Sequence, residues 1–234
     1  MSHDGNSSTV LIVGASRGLG LALAKEYLAR DWRVIATERS DARTGLRDLA
    51  EAHPDRLEIE RLDIAARDQI GALRRRLSGR AIDLLFVNAG VTNDPEETIG
   101  EVSTEEFTRV MVTNALGPMR VIEALQDLVP PTGMIAAMTS GLGSVADNEA
   151  GGWEVYRASK AALNTLMRSF AARHKDSGRS LALVAPGWVR TDMGGPRAPL
   201  GIETSIPGVV AAIAAQTGRP GLRYLDYQGR TVRW

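Results

Sequence analysis

A tyrosine and a lysine stand four residues apart, at Tyr156 and Lys160, in a segment with helical periodicity. Residues at this spacing lie on one face of a helix, so the two side chains are predicted to be neighbours. A free phenol, with a pKa of about 10, is poorly matched to proton transfer near neutral pH, and a nearby ammonium favours the phenolate. The pair could therefore act as an acid/base where a proton moves to or from oxygen, as in carbonyl reduction.

Two further polar residues are predicted to lie near this pair. Ser140 ends a predicted strand, at the carboxyl edge where doubly wound sheets bind ligands, and its hydroxyl could hold a substrate oxygen. Asn114 lies in a predicted helix in which Pro118 cannot donate to the Asn114 carbonyl, so we expect an irregular turn there. Each has a simpler interpretation: a surface Tyr–Lys pair, a turn-capping serine and a satisfied polar asparagine.

A glycine-rich turn follows the first predicted strand and opens a helix. Glycine lets the backbone approach a pyrophosphate, and the helix N-terminus supplies amides and partial positive charge. A tight turn can need glycine for backbone reasons alone, but the strand before it and the helix after it favour phosphate binding. With the spacing GxxxGxG rather than GxGxxG, the turn presents Gly14, Ser16, Arg17, Gly18, Leu19 and Gly20.

The charges at the end of the second strand bear on which dinucleotide would bind. Glu38 could accept the ribose hydroxyls of NAD, whereas Arg39 and Arg17 could pair with the 2′-phosphate of NADP. Two guanidiniums that can grip a phosphate outweigh one flexible carboxylate that can turn to solvent. This balance favours NADP, with NAD as the alternative. If Glu38 and Arg39 only solvate the strand end, the preference stays open.

Short apolar runs alternate with longer amphipathic segments, which predicts strands alternating with helices. The predicted strands cover residues 9–14, 32–37, 57–63, 82–88, 134–140, 181–186 and 222–227. The predicted helices cover residues 18–30, 43–52, 67–77, 104–129, 154–175 and 203–216. Ser103 and Glu106 form a predicted capping box before the fourth helix. The alternation predicts an α/β fold, a Rossmann-type doubly wound, seven-stranded parallel sheet in the order 3-2-1-4-5-6-7 between two helical layers.

Composition narrows the classes of partner. The 234 residues carry 28 Lys plus Arg and 28 Asp plus Glu, so no net charge draws the chain to nucleic acid or membranes. There is no cysteine and no apolar run of bilayer length, so we expect a cytoplasmic protein. His3, His53 and His174 lack metal-ligand spacing, so no metal is predicted. We expect one domain over residues 1–234, with a mobile loop at about 187–202 beside the site.

The glycine turn and the four polar residues together resemble the classical short-chain dehydrogenase/reductases. The likeness spans nearly the whole chain, although Val13 and Val87 replace the usual Thr and Asn of that family. It implies that Tyr156 is the acid/base and that Lys160 tunes it and binds the nicotinamide ribose. It further implies that Ser140 orients the carbonyl and that Asn114 supports a proton relay through water.

The same resemblance implies further cofactor contacts at the ends of other strands. Asp63, with Ile64 beside it, would contact the adenine, and Thr191 would contact the nicotinamide end. By residue type alone, Asp63 is equally a helix N-cap, and residues 88–90 are equally a turn. The remaining implied contacts are Asn88, Ala89 and Gly90 after the fourth strand, and Pro186, Gly187 and Val189 after the sixth.

A narrower likeness is to the C-factor and sniffer-type carbonyl reductases. It is carried by Gly151, Gly152 and Trp153 before the tyrosine, and by an ending that contains Gly229 and Trp234. That subgroup favours NADPH. We expect Trp234 to pack on the core or on a second subunit.

These observations predict NADP(H)-dependent reduction of a small aldehyde or ketone, with reversible alcohol oxidation. The alternatives are an NAD-dependent alcohol dehydrogenase and a non-catalytic, nucleotide-binding signalling or sensor protein. The predicted partner is a small carbonyl or alcohol. Relatives commonly pair through helices that match residues 104–129 and 154–175, which would give a homodimer or homotetramer.

Overall fold

Seven strands form one parallel sheet in the computed structural model, which describes residues 7–234. Their order is β3-β2-β1-β4-β5-β6-β7, which confirms the predicted order. Because β1 pairs with β2 on one side and with β4 on the other, the sheet's switch point lies between β1 and β4. The strands are β1 (Thr9–Val13), β2 (Arg33–Glu38), β3 (Leu57–Arg61), β4 (Leu84–Val87), β5 (Met134–Met138), β6 (Ser180–Ala185) and β7 (Gly221–Asp226).

Helices cover both faces of the sheet. Successive strand residues face opposite sides, so Leu11 packs in the cluster that includes Leu73 of α3, whereas Ile12 packs in the cluster that includes Leu23 of α1. Two apolar cores therefore enclose the strands, as expected for a buried parallel sheet. The helices are α1 (Gly18–Ala29), α2 (Gly45–Ala52), α3 (Arg67–Arg76), α4 (Thr104–Met111), α5 (Gly117–Leu125), α6 (Glu154–Arg173) and α7 (Ile202–Ala214).

The predicted helix over residues 104–129 is interrupted. A π-helical turn, Val112–Leu116, separates α4 from α5, and a 3-10 turn, Gln126–Leu128, follows α5. Because Pro118 has no N–H, the α-helical bond to the Asn114 carbonyl cannot form, and the wider turn accommodates its loss. The expected irregularity is confirmed.

The start of α4 forms only half of the predicted capping box. The Ser103 hydroxyl accepts a hydrogen bond from the Glu106 amide at 3.1 Å. The Glu106 carboxylate does not reach back and instead binds the Arg109 guanidinium at 2.7 Å. A charged partner one turn along holds this carboxylate more strongly than a backbone amide would. The reciprocal bond of the capping box was therefore a wrong prediction.

No helix among residues 7–234 is both long enough and apolar enough to cross a bilayer. No three His, Asp or Glu side chains among them converge as metal ligands. His3 lies outside the described residues.

Candidate active site

Tyr156 and Lys160 lie in the first half of α6, on the face turned toward the end of β5. Both are buried, with 9% of Tyr156 and 3% of Lys160 exposed. The Lys160 Nζ lies 5.8 Å from the centre of the Tyr156 ring and donates a hydrogen bond to the Met138 carbonyl at 3.1 Å. The interpretation of the two residues as a surface pair is therefore wrong.

Burial sets the ionisation of this pair in the protein alone. It raises the pKa of the Tyr156 phenol to about 12, and a hydrogen bond with the Ser140 side chain acts in the opposite direction. Burial also lowers the pKa of the Lys160 ammonium to about 8. The shift of the phenol pKa is therefore upward, opposite to the direction expected from Lys160, because the loss of hydration on burial outweighs the Ser140 hydrogen bond.

Ser140 follows β5 and has two roles at once. Its hydroxyl accepts a hydrogen bond from the Leu142 amide at 3.1 Å and caps a short 3-10 turn, Gly141–Gly143. The same side chain contacts Tyr156. The Ser140 carbonyl accepts a hydrogen bond from the Tyr224 hydroxyl of β7. Tyr224 escaped the sequence analysis, because only the pairing of β7 beside β6 brings it to this edge.

Asn114 lies in the π-helical turn with no exposed surface. Its Oδ1 accepts a hydrogen bond from the Val91 amide, and its Nδ2 donates to the Val91 carbonyl, each at 2.8 Å. The Nδ2 also donates to the Ser159 hydroxyl at 2.9 Å. The side chain is thus a satisfied polar group that ties the segment after β4 to α6, next to Lys160.

The glycine turn is packed too closely for any larger residue at two positions. A Cβ on Gly14, whose φ is +87°, would lie 2.7 Å from the Ala89 Cβ. A Cβ on Gly20 would lie 2.0 Å from the Gly14 carbonyl oxygen. Asn88 donates from Nδ2 to that same oxygen at 2.7 Å, and the Thr37 hydroxyl accepts a hydrogen bond from the Gly14 amide at 2.9 Å. Thr37 is a further residue that sequence reasoning missed.

The start of α1 is open beyond this packing. Arg17 is the N-cap residue, and its side chain makes no capping hydrogen bond. A Cβ on Gly18 would meet no atom within 4 Å. The first amides of a helix lack partners inside the helix, so this end can receive the oxygens of a phosphate. Ser16 and Leu19 lie on either side of these two residues.

Glu38, at the end of β2, differs from its prediction. It is only 3% exposed, and it does not turn to solvent. Its Oε2 accepts a hydrogen bond from the Thr44 hydroxyl at 2.8 Å, and its Oε1 binds the Arg47 guanidinium at 2.7 Å. The flexible carboxylate was a wrong expectation, because a buried carboxylate needs hydrogen-bonding and charged partners. Arg39 is exposed and forms no ion pair within residues 7–234.

The segments after β3 and β4 approach the same edge. Asp63 accepts a hydrogen bond from the Ala65 amide at 2.9 Å, in an Asx turn. The N-cap residue of α3 is Ala66, so the interpretation of Asp63 as a helix cap is wrong. Ile64 is buried beside it. A Cβ on Gly90 would lie 3.3 Å from both Asn114 Oδ1 and Lys160 Nζ. The segment after β4 therefore lies against the polar cluster, which consists of Asn114, Ser140, Tyr156 and Lys160.

The segment after β6 forms a loop opposite the glycine turn. Val189 bridges to Leu200, and the Thr191 hydroxyl accepts a hydrogen bond from the Gly194 amide at 3.1 Å. Pro186 and Gly187 lead into this loop, and Arg17 forms an ion pair with Asp192 across the gap. A cavity of about 620 Å³ lies between the two segments. It is lined by Arg17, Gly18, Arg190, Thr191, Asp192, Gly195, Pro196 and Ile202.

Three tryptophans lie on segments that border the candidate site. Trp153 precedes α6 in a left-handed conformation, with φ at +54°, and its ring packs edge-on against Tyr156 at 5.8 Å between centres. Trp188 is 53% exposed on the loop and donates to the Gly194 carbonyl. Trp234 packs against Tyr224 at 5.4 Å between ring centres and joins the core, as one of its two predicted placements required.

The chain is similar in sequence and in structure to short-chain dehydrogenases. Residues 8–199 match the family model of the short chain dehydrogenases. A structure of a short-chain dehydrogenase/reductase from Burkholderia multivorans with bound NADP is 61% identical, with a TM-score of 0.96 over 98% of this chain and 100% of that one.

Two more distant relatives connect the chain to the narrower group. The C-signal of Myxococcus xanthus is 39% identical over 155 residues, which are 65% of this chain and 93% of that protein. The carbonyl reductase Sniffer of D. melanogaster is 29% identical, with a TM-score of 0.89 over 98% of this chain and 100% of that one. Both likenesses noted in the sequence are confirmed. The chain belongs to the short-chain dehydrogenase family of oxidoreductases.

Proposed function

We propose that this protein reduces the carbonyl of a small aldehyde or ketone with NADPH, and that it can run the reverse oxidation of an alcohol. The observation that carries the proposal is that Tyr156 and Lys160 are buried beside the half-buried Ser140, at the sheet edge that also holds the open glycine turn. The bound NADP of the Burkholderia multivorans relative supports the choice of dinucleotide.

The residues at this edge fit a dinucleotide. The glycine turn leaves free amides for the pyrophosphate, and the packing of Gly14 and Gly20 keeps the backbone low enough for its approach. Asp63 and Ile64 would face the adenine. Asn88, Ala89 and Gly90 would contact the cofactor from the segment after β4. Pro186, Gly187, Val189 and Thr191 would contact it from the segment after β6, with Thr191 at the nicotinamide end. When bound, the reduced nicotinamide supplies the hydride.

The proton would come from Tyr156. With a pKa of about 12, the phenol is protonated at neutral pH and therefore starts as an acid, which suits reduction. Ser140 would hold the carbonyl oxygen beside that phenol. Lys160 keeps most of its charge at pH 7, because its pKa is about 8. One Nζ donor is used on Met138, which leaves the others for a ribose hydroxyl. Asn114 would hold the adjoining segment for a proton relay.

We further propose that residues 1–234 act as one domain, with the loop at about 187–202 closing over the substrate.

We also propose that the chain forms a homodimer or homotetramer. Leu116 and Leu166, each 40% exposed, lie on the helices through which it would form. Sedimentation of the wild type and of Leu166→Glu tests this assembly. An unchanged mass distribution in the variant would contradict it.

Consumption of NADPH across a panel of small aldehydes and ketones tests the activity. Tyr156→Phe should lower turnover by at least about 100-fold, because the acid is removed while the ring stays. Tyr27→Phe is the matched control, since it removes a buried phenol hydroxyl far from the site that has no hydrogen-bond partner. Full turnover by Tyr156→Phe would disprove the mechanism.

A second candidate is a nucleotide-binding signalling protein, which the likeness to C-signal favours. A signalling protein has no chemical need for Tyr156, Lys160 and Ser140 together. It would bind NADPH without consuming it on any carbonyl of the panel.

A third candidate is an NAD-dependent alcohol dehydrogenase. It would bind NADH more tightly than NADPH, for which both oxygens of Glu38 would have to become free.

A further inference from the structure

The end of β2 carries an acidic residue whose charge is already neutralised. Glu38 is buried, and its two carboxylate oxygens are bound to different partners, Thr44 and Arg47. The Arg47 guanidinium makes two contacts to the same oxygen, at 2.7 Å from Nε and 2.6 Å from the terminal nitrogen. Both oxygens of this carboxylate are already engaged, and only 3% of Glu38 is exposed, so little of it is available to a ribose.

The first turn of α2 is organised around this carboxylate. Thr44 is the N-cap residue of α2, yet its hydroxyl makes no capping bond and donates to Glu38 instead. Threonine at this position usually caps its own helix. Arg47 comes from the same turn and is 37% exposed at its side chain, so one edge of its guanidinium is buried on Glu38 while the rest faces solvent.

The surrounding charges leave this corner positive. Arg61 is the cross-strand neighbour of Glu38 and pairs with Asp41 at 2.6 Å, while Arg47 lies 3.6 Å from Asp41. Arg39 is exposed and is not among the paired cations of residues 7–234. Three cations therefore face two anions, and a 2′-phosphate approaching this corner meets no free carboxylate.

We infer that Arg47 is a specificity-determining residue that acts through Glu38, masking a carboxylate that would otherwise select NADH and repel NADPH. The inference rests on the proposed use of a nicotinamide dinucleotide. Arg47 thereby completes a preference that Arg39 and Arg17 alone would not secure, because a free Glu38 would stand beside the phosphate that they bind.

Binding titrations with NADPH and with NADH, followed by nucleotide fluorescence, test the inference without turnover. In Arg47→Met, the ratio of NADPH affinity to NADH affinity should fall by at least about tenfold. In the double variant Arg47→Met with Glu38→Gln, most of that ratio should return, because the freed negative charge is gone. Arg43→Met is the matched control, since it removes a cation bound to Asp48 and Glu51 and leaves Glu38 untouched.

Two outcomes overturn the inference. An unchanged ratio in Arg47→Met excludes any role in cofactor choice. A fall that the added Glu38→Gln does not restore shows that Arg47 binds the phosphate directly and masks nothing. If Arg47→Met unfolds, Thr44→Val is the substitute variant, because it releases one oxygen of Glu38. It should lower the ratio of NADPH affinity to NADH affinity by several-fold. An unchanged ratio in that variant also overturns the inference.

The outcomes also separate this inference from the proposed activity. A shift in the ratio with no carbonyl turnover by the wild type would sustain the role of Arg47 and reject the reductase. Turnover by the wild type with an unchanged ratio in Arg47→Met would do the reverse.

Discussion

The hydroxyl of Tyr224, on β7, donates a hydrogen bond to the backbone carbonyl of Ser140, 84 residues earlier in the chain. The Tyr224 ring packs against Trp234, and burial raises the pKa of its phenol to about 12, so it stays a donor throughout the neutral range. Ser140 is thus held from both sides, by its own capping bond to Leu142 and by β7. This arrangement makes Tyr224 a positioning residue for Ser140.

Replacing Tyr224 by Phe should lower the free energy of unfolding by about 1–2 kcal/mol, because the half-buried Ser140 carbonyl loses its donor. It should also lower kcat more than it raises KM, since the carbonyl of the substrate would be held less firmly. Urea unfolding and steady-state kinetics measure the two effects. Tyr27→Phe, which removes a hydroxyl without a partner, should be neutral or stabilising. Equal destabilisation by both changes would contradict the prediction.

Replacing Lys160 by Met should stabilise the fold at neutral pH while abolishing activity. The lowered pKa of Lys160, from 10.5 to about 8, corresponds to a cost of about 3 kcal/mol for burying the ammonium. Part of the gain is offset by the loss of the bond to the Met138 carbonyl. Thermal unfolding at pH 7 checks the sign, and a large loss of stability would refute it.

Because of Lys160, the difference in unfolding free energy between the wild type and Lys160→Met should depend on pH. Below pH 8 the Lys160 side chain is protonated in both the folded and the unfolded protein, so the cost of burying it is constant. Between pH 8 and 10.5 only the unfolded protein keeps this proton, so the free energy of unfolding rises with pH. The stability advantage of Lys160→Met should therefore shrink across this window. Titration of the Tyr156 phenol occurs in both proteins and cancels in the difference. A difference that stays constant from pH 7 to 10.5 would argue against a buried, titrating Lys160.

Replacing Gly20 by Ala should disrupt the glycine turn, because the new Cβ would lie 2.0 Å from the Gly14 carbonyl oxygen. We expect at least a tenfold loss of NADPH affinity, since about 1.4 kcal/mol of displaced backbone contacts is enough for that change. Gly71→Ala on α3 is the matched control, as its Cβ would come no nearer than 3.8 Å to Arg75. Alanine there should add up to about 1 kcal/mol of stability. Retained affinity in Gly20→Ala would show that the turn does not bind phosphate.

Replacing Asp192 by Asn should release Arg17 for the cofactor. The ion pair is highly exposed, with side-chain exposures of 72% and 81%, so its loss should change stability by less than about 1 kcal/mol. NADPH affinity should rise by roughly two- to fivefold at low salt and less at high salt, because screening weakens exposed charges. Asp31→Asn, which loses a pair with Arg56 elsewhere, serves as the control. Weaker NADPH binding in Asp192→Asn would show that the pair assists the cofactor.

Local pattern was enough to predict the strand order and the break near Asn114, since both depend on periodicity and on one missing amide. Residues whose partners come from a distant part of the chain were missed. Thr37, Tyr224 and Arg47 acquire their contacts only when β2, β7 and α2 reach their places beside the site. The same cause explains Glu38, for which the exposed end of a strand was expected and a buried one was found.

Ionisation was harder to predict than position. The spacing of Tyr156 and Lys160 predicted their proximity, but the depth of burial decides the direction of both pKa shifts. Depth depends on how α6 packs over the sheet, which a residue pattern does not specify.

The bond from Tyr224 to Ser140 has a consequence for synthesis. The chain leaves the ribosome amino end first, so β1 to β6 and the whole of α6 emerge while Ser140 still lacks its support from β7. A nascent chain halted before β7 would carry every member of the polar cluster without its final arrangement. Newly made protein would therefore complete its working geometry only when the seventh strand docks.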